Sequence, residues 1–168
     1  MNRLWAGWRA RYVSEEAGRQ SDCFLCALDT FDDAAIVCVD TLVLERSEHC
    51  LVIMNLYPYG SGHVLVAPRR HIGQLDALAD DEAIDLMRAQ QRAVRAIGAA
   101  FGPDGINLGA NLGRAAGAGI PDHLHVHVLP RWEADTNFMT SVANTRVLPQ
   151  SLDDGWAKLH AAWPVAGQ

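Results

Sequence analysis

Three histidines, His123, His125 and His127, alternate with apolar residues in the segment from 123 to 131. A period of two predicts a β-strand with one buried face, and side chains two positions apart on a strand point to the same side. The imidazoles are then roughly 6 to 7 Å apart along the strand, too far for all three to bind one metal ion. Imidazole titrates near neutral pH and can attack an electrophile, transfer a proton or bind zinc. The spacing therefore indicates that the three imidazole rings have different chemical roles at one site.

A glycine-rich loop lies directly before these histidines, over residues 113–122, and contains Gly113, Gly117 and Gly119. Glycine allows the backbone to approach an anion closely and to point N–H groups at it. The loop therefore predicts a phosphate-binding cradle beside the histidines, although flexibility alone also explains such a composition. The fixed alternation, this loop and the proline and arginine that end the run argue against a surface strand with coincidental histidines.

Two cysteines, Cys23 and Cys26, are spaced as in a zinc knuckle or a redox pair. A thioredoxin-like redox site needs a βαβ context, which this part of the sequence lacks. Structural zinc needs two further ligands for tetrahedral coordination, and the obvious donors are His71 and His123. The sequence favours zinc, and the alternative is a pair of reduced, metal-free thiols.

Two further polar residues flank a turn-rich stretch at residues 56–61. Asn55 ends a predicted strand, where its amide could reach a ligand or simply form the turn. His63 follows the stretch within an apolar run, where a single histidine more often has a structural role. Both residues are candidates for the same site as the alternating histidines.

Hydrophobic periodicity predicts the elements that must position these residues. A long helix is predicted over residues 80–101, with Asp80 as its N-cap and Gly102-Pro103 as its end. Its predicted apolar stripe consists of Ile84, Met87, Val94, Ile97 and Phe101, and its predicted solvated face carries Arg88, Arg92 and Arg95. Strands are predicted over residues 35–39, 42–46, 49–55, 62–68, 106–112 and 123–131, and short helical segments over 1–20 and 151–162. This order indicates an α+β fold with an antiparallel meander and a helix packed on it.

The composition is that of a globular protein, with 168 residues of which 49% are hydrophobic and 20% charged. We expect one domain over residues 1–168, with a core of about 20–131, an N-terminal arm and a C-terminal extension. The formal charge of −6 argues against non-specific binding to nucleic acid or to an anionic membrane. The sequence shows no secretory signal and no apolar run of membrane-spanning length, so we expect a cytoplasmic protein in which disulfides are rare.

The alternating segment resembles the histidine triad (HIT) motif at every position. Further stretches are similar to a branch of this family described as diadenosine tetraphosphate phosphorylases or hydrolases. These stretches are Arg3-Leu4-Trp5, Trp8-Arg9, Asn55-Leu56-Tyr57-Pro58-Tyr59, Gly62-His63, Pro121-Asp122-His123, Arg131-Trp132 and Asp135-Thr136-Asn137-Phe138. Residues 133–134 depart from the branch, because they lack its usual asparagine and glycine. The resemblance implies a five-stranded antiparallel sheet with a long helix, paired into a homodimer.

The resemblance also implies a role for each candidate residue. His125 is the implied nucleophile, with its other nitrogen donating to a backbone carbonyl, while His127 contacts the phosphate and assists the leaving oxygen. His63 is the implied support of the triad through hydrogen bonds. Substrate contacts are implied for Asn55 at the ribose, for Asn111 at the phosphate and for Ile53 and Leu56 beside the base, with Gly117 and Gly119 in the phosphate cradle. The zinc ligands of some bacterial relatives correspond to Cys23, Cys26, His71 and His123, which predicts a structural zinc ion.

Three functions remain open at this point. The first is cleavage of a dinucleoside polyphosphate through a covalent nucleotidyl-histidine, with phosphate or water as the acceptor. The second is a nucleoside phosphoramidase, which cleaves a P–N bond with the same groups. The third is a nucleotide-binding protein without catalysis, against which the intact triad argues.

Overall fold

The computed structural model describes residues 23–31, 36–135 and 149–164. The helical segment predicted over 1–20, with Trp5 and Trp8, lies outside the described residues, as does most of the stretch from 132 to 150. None of the helices in the described part of the chain is both long and apolar enough to span a membrane.

The described chain forms one antiparallel sheet of five strands in the order β1-β2-β3-β5-β4. The strands are β1 Val43–Arg46, β2 Cys50–Met54, β3 Val64–Pro68, β4 Gly105–Ala110 and β5 Val126–Arg131, and the helices are α1 Phe24–Asp29, α2 Asp80–Phe101 and α3 Leu152–Ala161. Single 3₁₀ turns lie at Leu75–Ala77 and Arg114–Ala116. The predicted α+β fold is confirmed. The sheet departs from a continuous meander where the chain passes through α2, so that β5 pairs with β3 and leaves β4 at the edge.

The two central strands β2 and β3 are buried along their whole length, because every residue in them except Pro68 and Cys50 is a large aliphatic or alanine side chain. The next strand, β5, alternates instead: Val126 and Val128 are buried, whereas His127 between them is half-buried. Successive side chains on a strand point to opposite faces, so the valines enter the core and His127 lies on the other face.

Helix α2 begins and ends where the sequence predicts, at Asp80 and Phe101. Its N-cap is Ala79 rather than Asp80, and the Ala79 N–H is satisfied by the Glu82 carboxylate at 2.9 Å. Gly102 ends the helix in the left-handed conformation, with φ of 53°.

The predicted apolar stripe of α2 is wrong in its first two turns. Ile84 and Met87 are 52% and 55% exposed, and the buried face consists instead of Leu86, Ala89, Ala93, Ala96 and Ile97. The small alanines allow close packing on β2, β3 and β5, which rotates the large side chains outward. Arg92 is also not solvated as predicted, because its Nε donates to Glu45 on β1 at 2.9 Å.

The strand predicted over residues 35–39 is not formed by its described residues, and the triad strand starts later than predicted. Residues 36–42 form turns rather than a strand, because the Thr41 hydroxyl donates to the carbonyls of Ile36 and Cys38. The triad strand begins at Val126 rather than at His123, since its pairing with β4 ends at Ala110. The preceding Leu124 N–H donates to Ile72 O at 2.6 Å, which holds this part of the triad against the chain that follows β3.

Candidate active site

His125 is buried directly before β5, and its Nδ1 lies 2.8 Å from the carbonyl oxygen of His123. A carbonyl only accepts hydrogen bonds, so Nδ1 carries the proton of the neutral ring. The other nitrogen, Nε2, therefore keeps its lone pair. This is the protonation state that a nucleophilic imidazole requires.

His63 and His127 form a hydrogen-bonded pair whose proton positions are set from the backbone. The N–H of Tyr59 donates to Nδ1 of the fully buried His63 at 3.1 Å, so this nitrogen has no proton. His63 consequently carries its proton on Nε2 and donates it to Nδ1 of His127, 2.9 Å away. Neutral His127 then carries its own proton on Nε2, and it presents a donor beside the lone pair of His125.

The rings of His125 and His127 stand close together, with centroids 5.1 Å apart and planes at 73°. This is nearer than the 6 to 7 Å expected from strand spacing, because His125 precedes the regular strand. Burial lowers the pKa of His127, and the neighbouring His125 lowers it further, so the His127 ring is favoured in the neutral form at pH 7. Two neighbouring rings thus differ in their tautomers, since Nε2 has the lone pair in His125 and the proton in His127.

The loop between β4 and His123 supplies fewer free N–H groups than its glycines suggest. Gly113 and Gly117 have φ of 80° and 87°, a conformation that favours glycine. The N–H of Gly117 donates within the loop to Arg114 O at 3.0 Å, whereas among the described residues Gly119 N–H donates to none. Asn111 is half-buried directly after β4. Of the two glycines predicted to hold a phosphate, only Gly119 therefore has an N–H available.

The predicted nucleoside-binding residues lie at the end of β2. The Asn55 side chain accepts from Tyr57 N–H at 2.9 Å, and its Nδ2 lies 3.3 Å from His63 Nδ1. Ile53 is buried in the core and Leu56 packs against it. The structure thus brings Asn55 to the same histidine pair, while Ile53 lies mostly under the surface.

The four predicted zinc ligands form one cluster, in which the donor atoms of Cys23, Cys26, His71 and His123 lie within 4.8 Å of one another. Cys23 Sγ is 3.0 Å from His123 Nδ1, and Cys26 Sγ is 3.2 Å from His71 Nδ1. The other nitrogen of His123 donates to Pro68 O at 2.7 Å, which leaves Nδ1 unprotonated and directed into the cluster. Two thiols and two imidazoles at this spacing fit a tetrahedral zinc ion.

The chemistry of the thiols agrees with a metal site. Burial opposes ionisation of Cys23, but the hydrogen bond and positive charge of a His123 ring protonated on both nitrogens, together with the backbone N–H of Cys26, outweigh burial and lower the pKa of Cys23 to about 6. The cluster is held in place by Gly73, where a Cβ would come within 2.6 Å of Pro121 O, so only glycine allows the segment after β3 to pass this closely.

A comparison with known proteins decides the family. Residues 38–134 match the model of the HIT domain. The chain belongs to the HIT domain family. AP-4-A phosphorylase from Mycobacterium tuberculosis strain H37Rv is 36% identical over 165 residues, which cover 97% of this chain and 85% of that protein. The asymmetrical bis(5'-nucleosyl)-tetraphosphatase of Schizosaccharomyces pombe is 35% identical over 97 residues, or 58% of this chain and 53% of that protein.

Solved structures of HIT proteins share the fold. A Zn-bound histidine triad family protein from Mycobacterium smegmatis superposes with a TM-score of 0.64 at 27% sequence identity, covering 84% of this chain and 92% of that one. The metal named in that structure agrees with the kind of donor cluster seen here.

Two contributors to the site of this HIT domain were missed by the sequence reasoning. Tyr59 touches the histidine pair through both its N–H and its ring, and its only sequence signal is its place four residues before His63. Asp29 at the end of α1 accepts from Arg69 at 2.7 Å and contacts Arg46 at 3.2 Å, which ties the cysteine segment to β1 and β3. No local pattern identifies this contact, because its partners are distant in the sequence.

Proposed function

We propose that this HIT domain is an enzyme that cleaves dinucleoside polyphosphates such as diadenosine tetraphosphate, with His125 as the nucleophile. One observation carries the proposal: the rings of His125 and His127 have centroids 5.1 Å apart, and each has its Nδ1 engaged in a hydrogen bond, which leaves Nε2 for the substrate. In-line displacement at phosphorus needs a positioned nucleophile and stabilisation of the leaving charge. The similarity to an AP-4-A phosphorylase over nearly the whole chain supports the choice of substrate.

The proposed reaction has two displacements at the same phosphorus. In the first, His125 Nε2 forms a bond to phosphorus while the bridging P–O bond breaks, and the leaving oxygen departs with that electron pair. The His127 N–H donates a hydrogen bond to this oxygen. In the second, inorganic phosphate or water attacks phosphorus, the N–P bond breaks, and its electron pair returns to His125 as the acceptor releases one proton.

Substrate binding is assigned to the residues around this pair. We assign phosphate binding to Gly119 N–H and the Asn111 amide, because both lie on the segment that leads from β4 into the triad. Asn55 is assigned to the ribose hydroxyls, and Ile53 and Leu56 to the edge of the base.

We further infer that the cysteine–histidine cluster binds one structural zinc ion. All four coordination positions are filled by protein donors, which leaves none for substrate or water. When bound, zinc supplies a cross-link between α1, the chain after β3 and the start of the triad. The carbonyl oxygen of the proposed ligand His123 also accepts the hydrogen bond from His125 Nδ1–H. His123 therefore belongs to the metal site and also orients the nucleophile.

The protein is also proposed to act as a cytoplasmic homodimer. The cytoplasmic location is proposed because the sequence shows no secretory signal. The edge strand β4 pairs only with β5 among the described residues and is largely exposed, and Ile84 and Met87 of α2 are exposed as well. Pairing of two β4 edges about a twofold axis would cover the exposed strand.

Product analysis with diadenosine tetraphosphate tests the activity and its acceptor. ADP that appears only when inorganic phosphate is present indicates phosphorolysis, whereas AMP plus ATP, or ADP without phosphate, indicates hydrolysis. His125→Ala should remove turnover while the circular dichroism spectrum stays unchanged, and His160→Ala on α3 serves as a matched control with full activity. Turnover by His125→Ala near that of the unmodified protein contradicts the proposal.

A phosphoramidase remains the second candidate, because an amine leaving group requires a proton at the breaking bond and His127 presents one there. Relative rates on diadenosine tetraphosphate and on adenosine 5'-phosphoramidate decide between the two activities. Tight nucleotide binding with no turnover of either compound, with phosphate and water both supplied, would instead indicate a non-catalytic binding protein.

A further inference from the structure

The loop between β2 and β3 brings Tyr59 against two histidines of the site. Its ring centroid lies 4.8 Å from that of His63, with planes 30° apart, and 5.6 Å from that of His127, with planes 27° apart. Its side chain is nevertheless 50% exposed. The same residue contacts His63 a second time, through the backbone N–H that donates to Nδ1. Tyr59 thus forms the outer wall of the histidine pair.

The N–H and the ring of Tyr59 have separable effects. The N–H fixes which nitrogen of His63 holds the proton, and any residue except proline supplies it. The ring instead covers one face of both imidazoles and restricts their tilt. His127 has one ring nitrogen bound to His63, and this single hydrogen bond leaves the ring plane free to tilt about it. The nearly parallel tyrosine ring opposes that motion.

The orientation of His127 matters because a hydrogen bond weakens steeply as its angle departs from linear. The Nε2–H of His127 must point at the leaving oxygen when the bond to phosphorus breaks. We propose, resting on the function proposed above, that Tyr59 is a positioning residue that acts through His127 and aims its Nε2–H at the leaving oxygen. The phenol hydroxyl has no part in this role, because the contact is made by the ring.

This role predicts a dependence on the leaving group that a general loss of stability does not. A leaving oxygen that carries little basicity, such as that of p-nitrophenol, gains little from a hydrogen bond, whereas phenol gains much more. The p-nitrophenyl and phenyl esters of AMP deliver the same nucleotide to His125 and differ only in this property. They are therefore the probes for the experiment.

The test compares Tyr59→Leu and Tyr59→Phe on the two esters. Tyr59→Leu keeps the backbone N–H and should lower kcat on the phenyl ester by roughly three- to tenfold, the range that corresponds to one aromatic contact. It should lower kcat on the p-nitrophenyl ester by less than about twofold, because little charge needs stabilising there. Tyr59→Phe should match the unmodified protein on both. In a His127→Ala background, Tyr59→Leu should cause no further loss on the phenyl ester.

Equal losses on both esters, a loss in Tyr59→Phe, or additive losses in the His127→Ala background would each overturn the inference. A second readout needs no substrate: the ring protons of His127 should show an upfield NMR shift from the tyrosine ring, kept in Tyr59→Phe and lost in Tyr59→Leu. Absence of that shift in the unmodified protein removes the inference while the proposed function stands. If the shift is present but the protein cleaves neither ester nor diadenosine tetraphosphate, the proposed function is wrong. The positioning role of Tyr59 in that reaction is then wrong as well.

Discussion

At the scale of single residues, backbone groups decide the chemistry of each histidine in the site. The His123 carbonyl places the proton of His125 on Nδ1, and the Pro68 carbonyl places that of His123 on Nε2. The Tyr59 N–H does the opposite for His63 and keeps its Nδ1 unprotonated. A carbonyl can only accept and an N–H can only donate, so each ring has one tautomer. In the proposed function, these four chemically identical side chains take different roles: His125 is the nucleophile, His127 the hydrogen-bond donor, His63 the partner that fixes the His127 tautomer, and His123 a metal ligand.

The effect of His63 on the tautomer of His127 can be tested by replacing His63. His63→Leu leaves the partly buried Tyr59 N–H and His127 Nδ1 without their partner, which should lower the free energy of unfolding by about 1 kcal/mol. Turnover of diadenosine tetraphosphate should fall by about tenfold or more, because His127 loses its single tautomer. His63→Gln offers both an acceptor and a donor, so it should lose less on both measures. Urea unfolding and initial rates check these outcomes, and equal effects of the two substitutions would show that His63 only fills space.

At the scale of elements, the sequence predicted helix bounds correctly where residues within the segment itself determine them. Helix α2 has both predicted bounds, since Gly102 and the acidic first turn act locally. The buried face of α2 was mispredicted because it depends on how closely alanines let the helix approach the sheet, a tertiary property. The site residues were predicted as candidates, but their protonation was not, since His123 and Pro68 are 55 positions apart.

Helix α1 is the element that we expect to depend most on the proposed zinc ion. It has only six residues, and it is attached to the sheet through the Asp29 contacts at its end and through the cysteine ligands at its start. A ligand that binds only the folded protein stabilises it in proportion to its affinity and concentration. The zinc site should therefore contribute measurably to the stability of the whole domain.

Metal analysis and chelation test this dependence. The purified protein should contain one zinc ion per chain, and a strong chelator should lower its thermal midpoint by several degrees, as loss of about 1 kcal/mol or more does in a domain of this size. Cys26→Ser should abolish both the stoichiometric zinc and the effect of the chelator. Cys38→Ser is the matched control and should retain both, because Cys38 contacts Thr41 away from the cluster. A full zinc content in Cys26→Ser would exclude the proposed ligand set.

At the scale of the whole molecule, the two edge strands of the sheet differ in how they are protected from pairing with another chain. Edge strand β1 is covered by α3, where Trp156 Nε1 donates to Val43 O at 2.9 Å, and it carries the charged Glu45 and Arg46. Edge strand β4 has the sequence GINLGA, without charge or proline, and no described helix packs over its outer edge. Soluble proteins usually protect an edge with charge, proline or a covering element. An edge without such protection is explained if a second copy of the chain covers it.

Replacement of Leu108 tests that explanation. Leu108 is 49% exposed on β4, so an aspartate there is compatible with the folded chain but places two like charges close together when two β4 edges meet. We expect sedimentation velocity to show a dimer for the unmodified protein and a monomer for Leu108→Asp at micromolar concentration. Phe31→Asp is the matched control, because Phe31 is 50% exposed and its carbonyl accepts from Arg46 on β1, at the opposite edge of the sheet, so this variant should leave the dimer intact. A monomeric unmodified protein, or an unchanged dimer in Leu108→Asp, would show that β4 is not the interface.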